Sequence, residues 1–354
     1  MNMTKSGKSA AFAAAALLCA SVYGGVGDRP VSADGLDAGY ATDAYPGFEP
    51  RQSREPEFKD KSWWYSVKRD SPEAQLEFAH AFETNGNCKA AAKAYEALVR
   101  EWPSSSVAAE AQRRKASVLA RMAADKSDMS LYEDAFDEYE YLMHYFPGLC
   151  SYAKVAELQY KIACHLKDDT KSIFGFKYDT NREKRLRFES VVRRAPGSTW
   201  VPDAMLEIAN LRVDDNELAE AAEVFDNIVT RFPDSKQARE AAFKACKCRY
   251  ELVKKMDYNA SRCRNALNGV NMALKRYPDL AEAATLKTWA DELSGILEEN
   301  AWKNAVFYDT RQRTKQAAVS AYERFLAEFP ESNHRGEAVA RIEAIKGGAA
   351  PLRR

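Results

Sequence analysis

The chain has 354 residues, of which 46% are hydrophobic and 29% charged, and its formal net charge is zero. That length exceeds what one compact core organises, so several domains or a repeat array are expected. The charge balance offers no basic footprint for nucleic acid, and 16 glycines with few β-branched runs argue against a sheet-rich fold.

Residues 1–24 read as an export signal: Lys5 and Lys8 precede an apolar run, Ala10 to Val22, that is too short to cross a bilayer. Two endings stay open. Cleavage after Gly24 would place Val22 and Gly24 at the small-residue positions, whereas a lipoprotein ending would put the lipid on Cys19, behind Ala16, Leu17 and Leu18. Residues 25–70 are rich in Gly, Asp, Pro and Ser in their first part and read as a tether. Trp63, Trp64 and Tyr65 near its end form an aromatic cluster that caps the first repeat or anchors a partner.

Beyond the tether one pattern recurs six times. Pro103, Pro147, Pro196, Pro233, Pro278 and Pro330 each follow a bulky residue or Ala195. Eight positions earlier stand Tyr95, Tyr139, Phe188, Phe225, Val270 and Tyr322, and twelve earlier Ala91, Ala135, Lys184, Ala221, Ala266 and Ala318. Apolar pairs such as Leu98/Val99 and Ile228/Val229 fill the places between, so one face of a helix is apolar and proline ends it. Copies at intervals of 37 to 52 residues mean a repeat array.

The predicted fold class is all-α, an α-solenoid of about six helical hairpins with a C-terminal capping helix. Ser71 with Pro72 starts the first hairpin, 72–84 with 88–101, around Asn85-Gly86-Asn87. The next pair 107–126 with 131–145, 149–167 with 181–194, and 201–212 with 217–231. Then follow 235–255 with 258–276, 280–307 with 312–328, and a closing helix over 333–345. Residues 71–196 and 197–346 are taken as N- and C-terminal repeat regions, and 347–354 as a tail. The third hairpin departs from the pattern: Lys184 replaces the small alanine, which predicts looser packing or an altered crossing angle, and an inserted loop carries Ile173, Phe174, Phe176 and Tyr178. Such a loop folds back over the repeats or meets another protein.

No catalytic set, metal site or cofactor site is evident. His80, His144, His165 and His334 are scattered, and Cys164-His165 are consecutive helical positions that point about 100° apart. Six cysteines lie beyond the signal and read mainly as small buried residues, with Cys248 to Cys263 the first bridge to test. Charge is patterned instead. Glu133, Asp134, Asp137, Glu138 and Glu140 make one helix acidic, while Arg182, Lys184, Arg185, Arg187, Arg193 and Arg194 make another basic, and basic residues crowd around Arg249. These helices neutralise one another or line a groove for a partner.

The hairpins with Ala, aromatic and Pro at these positions resemble tetratricopeptide repeats. Tyr95 to Ser105, nearly repeated at Tyr322 to Ser332, and the stretch from Phe174-Gly175-Phe176 through Phe188 to Pro196-Gly197-Ser198 resemble the BamD family of outer-membrane assembly lipoproteins over roughly 70–345. The resemblance implies a non-enzymatic scaffold on the periplasmic face of a Gram-negative outer membrane. Its partners would be a BamA-like barrel assembly protein and unfolded outer-membrane proteins. Trp63, Trp64, Tyr65, Phe174, Phe176, Tyr178, Arg185 and Arg249 are the candidate partner-binding residues. A soluble periplasmic adaptor in wall synthesis or division is the competing expectation, and a thiol- or metal-dependent envelope enzyme the third.

Overall fold

The computed structural model describes residue 48 and residues 56–167, 172–173, 176–177, 181–255, 259–311 and 314–350. The export signal with Cys19, and Phe174 and Tyr178 of the inserted loop, lie outside the described residues. Among the described residues there are thirteen α-helices, one short 3-10 turn at Trp63–Tyr65 and one pair of two-residue strands. The helices are α1 (Pro72–Thr84), α2 (Cys88–Glu101), α3 (Ala108–Lys126), α4 (Met129–Tyr145), α5 (Tyr152–Leu166), α6 (Asn181–Arg194) and α7 (Val201–Asp214). They continue as α8 (Leu218–Arg231), α9 (Lys236–Lys255), α10 (Ala260–Arg276), α11 (Ala283–Thr310), α12 (Lys315–Glu328) and α13 (Arg335–Lys346). The fold is the all-α helical-repeat class expected.

Two compact units divide the chain, Met1–Leu211 and Arg212–Arg354. In the first, consecutive helices from α1 to α6 pack on one another, and in the second those from α8 to α13 do so. The recurring positions build each core. Tyr95, Tyr139, Phe188, Phe225, Val270 and Tyr322 are all 1% exposed or less, and Ala91, Ala135, Ala221, Ala266 and Ala318 are fully buried beside them. Each buried aromatic is worth roughly 1.5–3 kcal/mol, and each alanine admits the neighbouring helix closely.

All six prolines end their helices in one way. The residue before proline donates its N–H four positions back, as Trp102 does to Leu98 (2.9 Å) and Phe329 to Phe325 (2.8 Å). Its own carbonyl then accepts from the residue three ahead, as Trp102 does from Ser105 (3.0 Å) and Phe232 from Ser235 (3.0 Å). Proline interrupts the helix without orphaning that carbonyl. Side-chain caps open the neighbouring helices: Ser71 Oγ accepts from Ala74 N, Asn87 Oδ1 from Ala90 N and Ser235 Oγ from Ala238 N, each at 3.2 Å. Gly86 turns the first hairpin with φ +74°, a conformation glycine adopts freely.

Lys184 explains its own exception. Only 7% exposed, it donates Nζ to the carbonyl of Lys167 at the end of α5, 2.7 Å away. A cation at a helix C-terminus meets the negative end of the helix dipole, so this repeat exchanges a small residue for a tie between α5 and α6. In the inserted loop, β1 (Ser172–Ile173) and β2 (Phe176–Lys177) pair antiparallel, Ser172 opposite Lys177 and Ile173 opposite Phe176.

Candidate partner-binding surface

Residues 56–65 lie across the first two hairpins as a strap. Phe58 sets its ring edge-on to Tyr145 (centroids 5.4 Å), and Lys59 Nζ stands 4.3 Å over the Tyr141 ring. The backbone of the strap is held by helix side chains. Tyr145 Oη donates to the Pro56 carbonyl (2.7 Å), Arg100 Nη1 donates to the Asp60 carbonyl (2.7 Å), and the Lys59 amide donates to Tyr141 Oη (3.4 Å). Farther on, Lys61 pairs with Glu101 at 2.6 Å, and the Arg100 guanidinium lies over the Tyr65 ring at 5.0 Å.

The centre of this surface is a buried charge cluster. Lys59 and Lys115 both contact Glu96 of α2 and Glu138 of α4, and Arg100 also pairs with Glu96. Fully buried Gln112 bridges them, its Nε2 donating to the Glu138 carbonyl (2.8 Å) while its Oε1 accepts from Lys59 Nζ (3.4 Å). Burial alone would raise the Glu96 acid, but Lys115 and then Lys59 hold it down at about 2. Glu138 is depressed in the same way. Burial pushes the Lys59 ammonium down, and the like charge of Lys115 adds to that against the pull of Glu138 and Glu96.

Gln112 has two counterparts. Buried Gln75 donates to the Ala94 carbonyl (3.1 Å) and accepts from the Lys68 amide (2.9 Å). Buried Gln159 donates to the Phe136 carbonyl (3.3 Å) and accepts from Arg194 (3.3 Å). Each amide spans from a packed helix to whatever lies on its surface. Sequence reasoning missed Lys59 and these glutamines, because a lone lysine in a tether carries no spacing signal. The recurrence of Gln75, Gln112 and Gln159 on the first helices of successive hairpins was the one clue available.

The predicted site residues separate into several environments. Trp63 and Trp64 are 76% and 72% exposed and stack on each other with centroids 3.6 Å apart, while Tyr65 is half-buried under Arg100. Phe176 lies in β2. Arg185 is 2% exposed and its guanidinium faces Glu189 inside the first unit, 3.9 Å away. Arg249 pairs with Asp226 in the second unit and passes close to Gly269, where an added Cβ would meet its Nη1 at 3.3 Å. The acidic helix α4 and basic helix α6 largely neutralise each other: Arg187 meets Glu133 (2.9 Å), and Arg194 grips Glu140 with both Nη atoms.

Among the described residues the six cysteines are free thiols, with Cys246, Cys248 and Cys263 buried, and Cys248 and Cys263 are not bridged. Burial pushes Cys246 up to about 12 and Cys248 up to about 11, far from a reactive thiolate. Cys164 is also raised by burial, and its neighbour His165 is exposed and stacks on Tyr132 (4.7 Å). Among the described residues no group of three or more His, Cys, Asp or Glu is placed to hold a metal, and no helix is long and apolar enough to cross a membrane.

Against known proteins, residues 176–348, from β2 to just past α13, match the model of the YfiO family, described as outer membrane lipoprotein. No curated protein matches. Among solved structures, a tetratricopeptide repeat protein from Parabacteroides merdae aligns over 78% of this chain and 98% of its own, at 11% identity and a TM-score of 0.31. The human IFIT1 dimer with PPP-AAAA aligns over 78% of this chain and 63% of its own, at 13% identity and a TM-score of 0.24. The resemblance to the BamD-like outer membrane lipoproteins holds over residues 176–348, where the chain carries the YfiO family's pattern on a helical-repeat scaffold.

Proposed function

We propose that the chain is a periplasmic helical-repeat scaffold held at the outer membrane, where it binds partner proteins during assembly and insertion of β-barrel proteins. The observation that carries this reading is the family match over residues 176–348, which takes in every hairpin of the second unit. Stacked helical hairpins offer side-chain surface to polypeptides and need no reaction centre. By the resemblance, residues 71–196 engage unfolded outer-membrane proteins and residues 197–346 bind a BamA-like barrel protein. Solvent-facing Trp63 and Trp64, just ahead of the first region, are suited to partner contact, and Arg249 marks the candidate surface of the second. Arg185, a further candidate, is buried beside Glu189 of the same helix.

The test is recovery of partners from detergent-solubilised envelope by the tagged full-length chain. A BamA-like barrel protein should co-purify, and its absence from the eluate would refute the assignment. Mass spectrometry of the mature N-terminus addresses attachment: a diacylglyceryl Cys19 is expected for the anchored scaffold, and a start near Gly25 would favour the soluble periplasmic adaptor.

A further inference from the structure

We propose that the surface under residues 56–61 is a binding groove for an extended polypeptide carrying an aromatic–lysine step, and that the chain's own strap is its displaceable occupant. This deepens the polypeptide-binding reading above but does not depend on which partner is bound at the membrane.

Three observations support it. The strap is held in part through main-chain groups: the carbonyls of Pro56 and Asp60 and the amide of Lys59 meet Tyr145, Arg100 and Tyr141. Any extended peptide presents the same groups, which is how grooves bind polypeptides without demanding one sequence. Selectivity then comes from the two side chains that enter, Phe58 against Tyr145 and Lys59 between Glu96 and Glu138.

Second, the pocket is balanced without its occupant. Glu96 and Glu138 already face Lys115 and Arg100, both rooted in helices α3 and α2. Without Lys59, Glu96 keeps Lys115 and Arg100 and Glu138 keeps Lys115, so its departure orphans neither buried carboxylate.

Third, the strap adds little apolar burial of its own. Phe58 remains 37% exposed, Lys61 has a side chain 68% exposed, and the strap forms no helix before the 3-10 turn at Trp63. Its hold comes from being tethered, since covalent attachment gives a local concentration on the order of millimolar. A free peptide must therefore outcompete the strap, and does so once the strap is weakened.

The probe is a fluorescein-labelled peptide with the sequence of residues 56–62, followed by anisotropy against the full chain and a full-length Phe58→Ala, Lys59→Ala variant. The peptide should bind the variant roughly tenfold or more tightly than the unmodified chain, because the tethered competitor is gone. Replacing lysine by alanine at the fourth position of the peptide should weaken that binding. Equal binding to both chains, no binding to a variant with unchanged helicity, or full binding of the alanine peptide would each overturn the proposal. Should the variant fail to fold, the unmodified chain decides. Excess peptide should accelerate amide hydrogen exchange over residues 56–62, and an unaltered exchange rate would overturn it. Recovery of envelope partners is read separately, so either reading can fail without the other.

Discussion

At the scale of single residues, the repeat's aromatic position is used in two ways. In two of the three copies with tyrosine the hydroxyl finds an acid on the preceding helix, Tyr95 donating to Glu83 (2.6 Å) and Tyr322 to Asp309 (3.2 Å), whereas Tyr139 meets Ser117. Burial and those carboxylates raise both phenols well above their usual range. Asp309 is fully buried and also grips Arg341 of α13, with Nη2 at 2.9 Å from Oδ1. Asp309→Ala should cost about 3 kcal/mol in urea unfolding, since it strands a guanidinium and a hydroxyl together. A loss below 0.5 kcal/mol, on the order of an ordinary surface substitution, would show that the network contributes nothing.

The Glu96 cluster yields a pH dependence whose sign is fixed by geometry. Its folded acid lies near 2 against the usual 4.5, so the stabilisation is complete above 4.5 and is lost as pH falls towards 2. The full effect is roughly 3 kcal/mol, and Glu138 and Glu140 are depressed in the same direction. Urea midpoints should fall steeply between pH 4.5 and 2, in the window set by these shifts. The fall should be shallower in Glu96→Gln; parallel curves for the two proteins would contradict the assignment. None of this was legible in the sequence. Tyr95, Tyr322 and their alanines were, because packing recurs with the repeat. Lys59, Glu96 and Glu138 come together only when separated segments are folded over one another.

At the scale of an element, helix boundaries followed closely from local chemistry. Proline and the residue before it set where α2, α4, α6, α8, α10 and α12 stop, and Ser71 with Pro72 set where α1 begins. Lys184, read as a sign of looser packing or an altered crossing angle, carries a bond that its sequence position did not announce. Residue size at one position does not reveal that a long side chain can reach back to the end of the preceding helix. Lys184→Ala restores the repeat's usual residue yet should destabilise the first unit by about 1 kcal/mol, through loss of the bond to the Lys167 carbonyl. A stabilised variant in thermal unfolding would mean the alanine matters more than the tie. The acidic and basic helices taught a related lesson: their composition was plain, but that α4 and α6 spend much of their charge on each other required Arg187 and Arg194 to be seen against Glu133 and Glu140.

At the scale of the whole molecule, each unit has its own buried clusters and its own optical probes. In the first, Trp200 stacks on Tyr160 with centroids 4.7 Å apart; in the second, Trp302 stacks on His334 at 4.5 Å and packs against Tyr322 and Phe325. Repeat arrays are stabilised by nearest-neighbour interfaces, so the two units need not unfold together. Single-tryptophan variants retaining Trp200 or Trp302 should report different urea midpoints, and coincident curves would mean that one cooperative transition spans the chain.

Trp63 and Trp64 give the chain a built-in beacon. Two indoles stacked in water, a few positions beyond Phe58, should emit at long wavelength and be extinguished readily by acrylamide, unlike the more shielded Trp302. Any macromolecule settling on this corner would shift that glow to the blue and protect it from the quencher, so encounters near the strap can be watched in real time without attaching a dye.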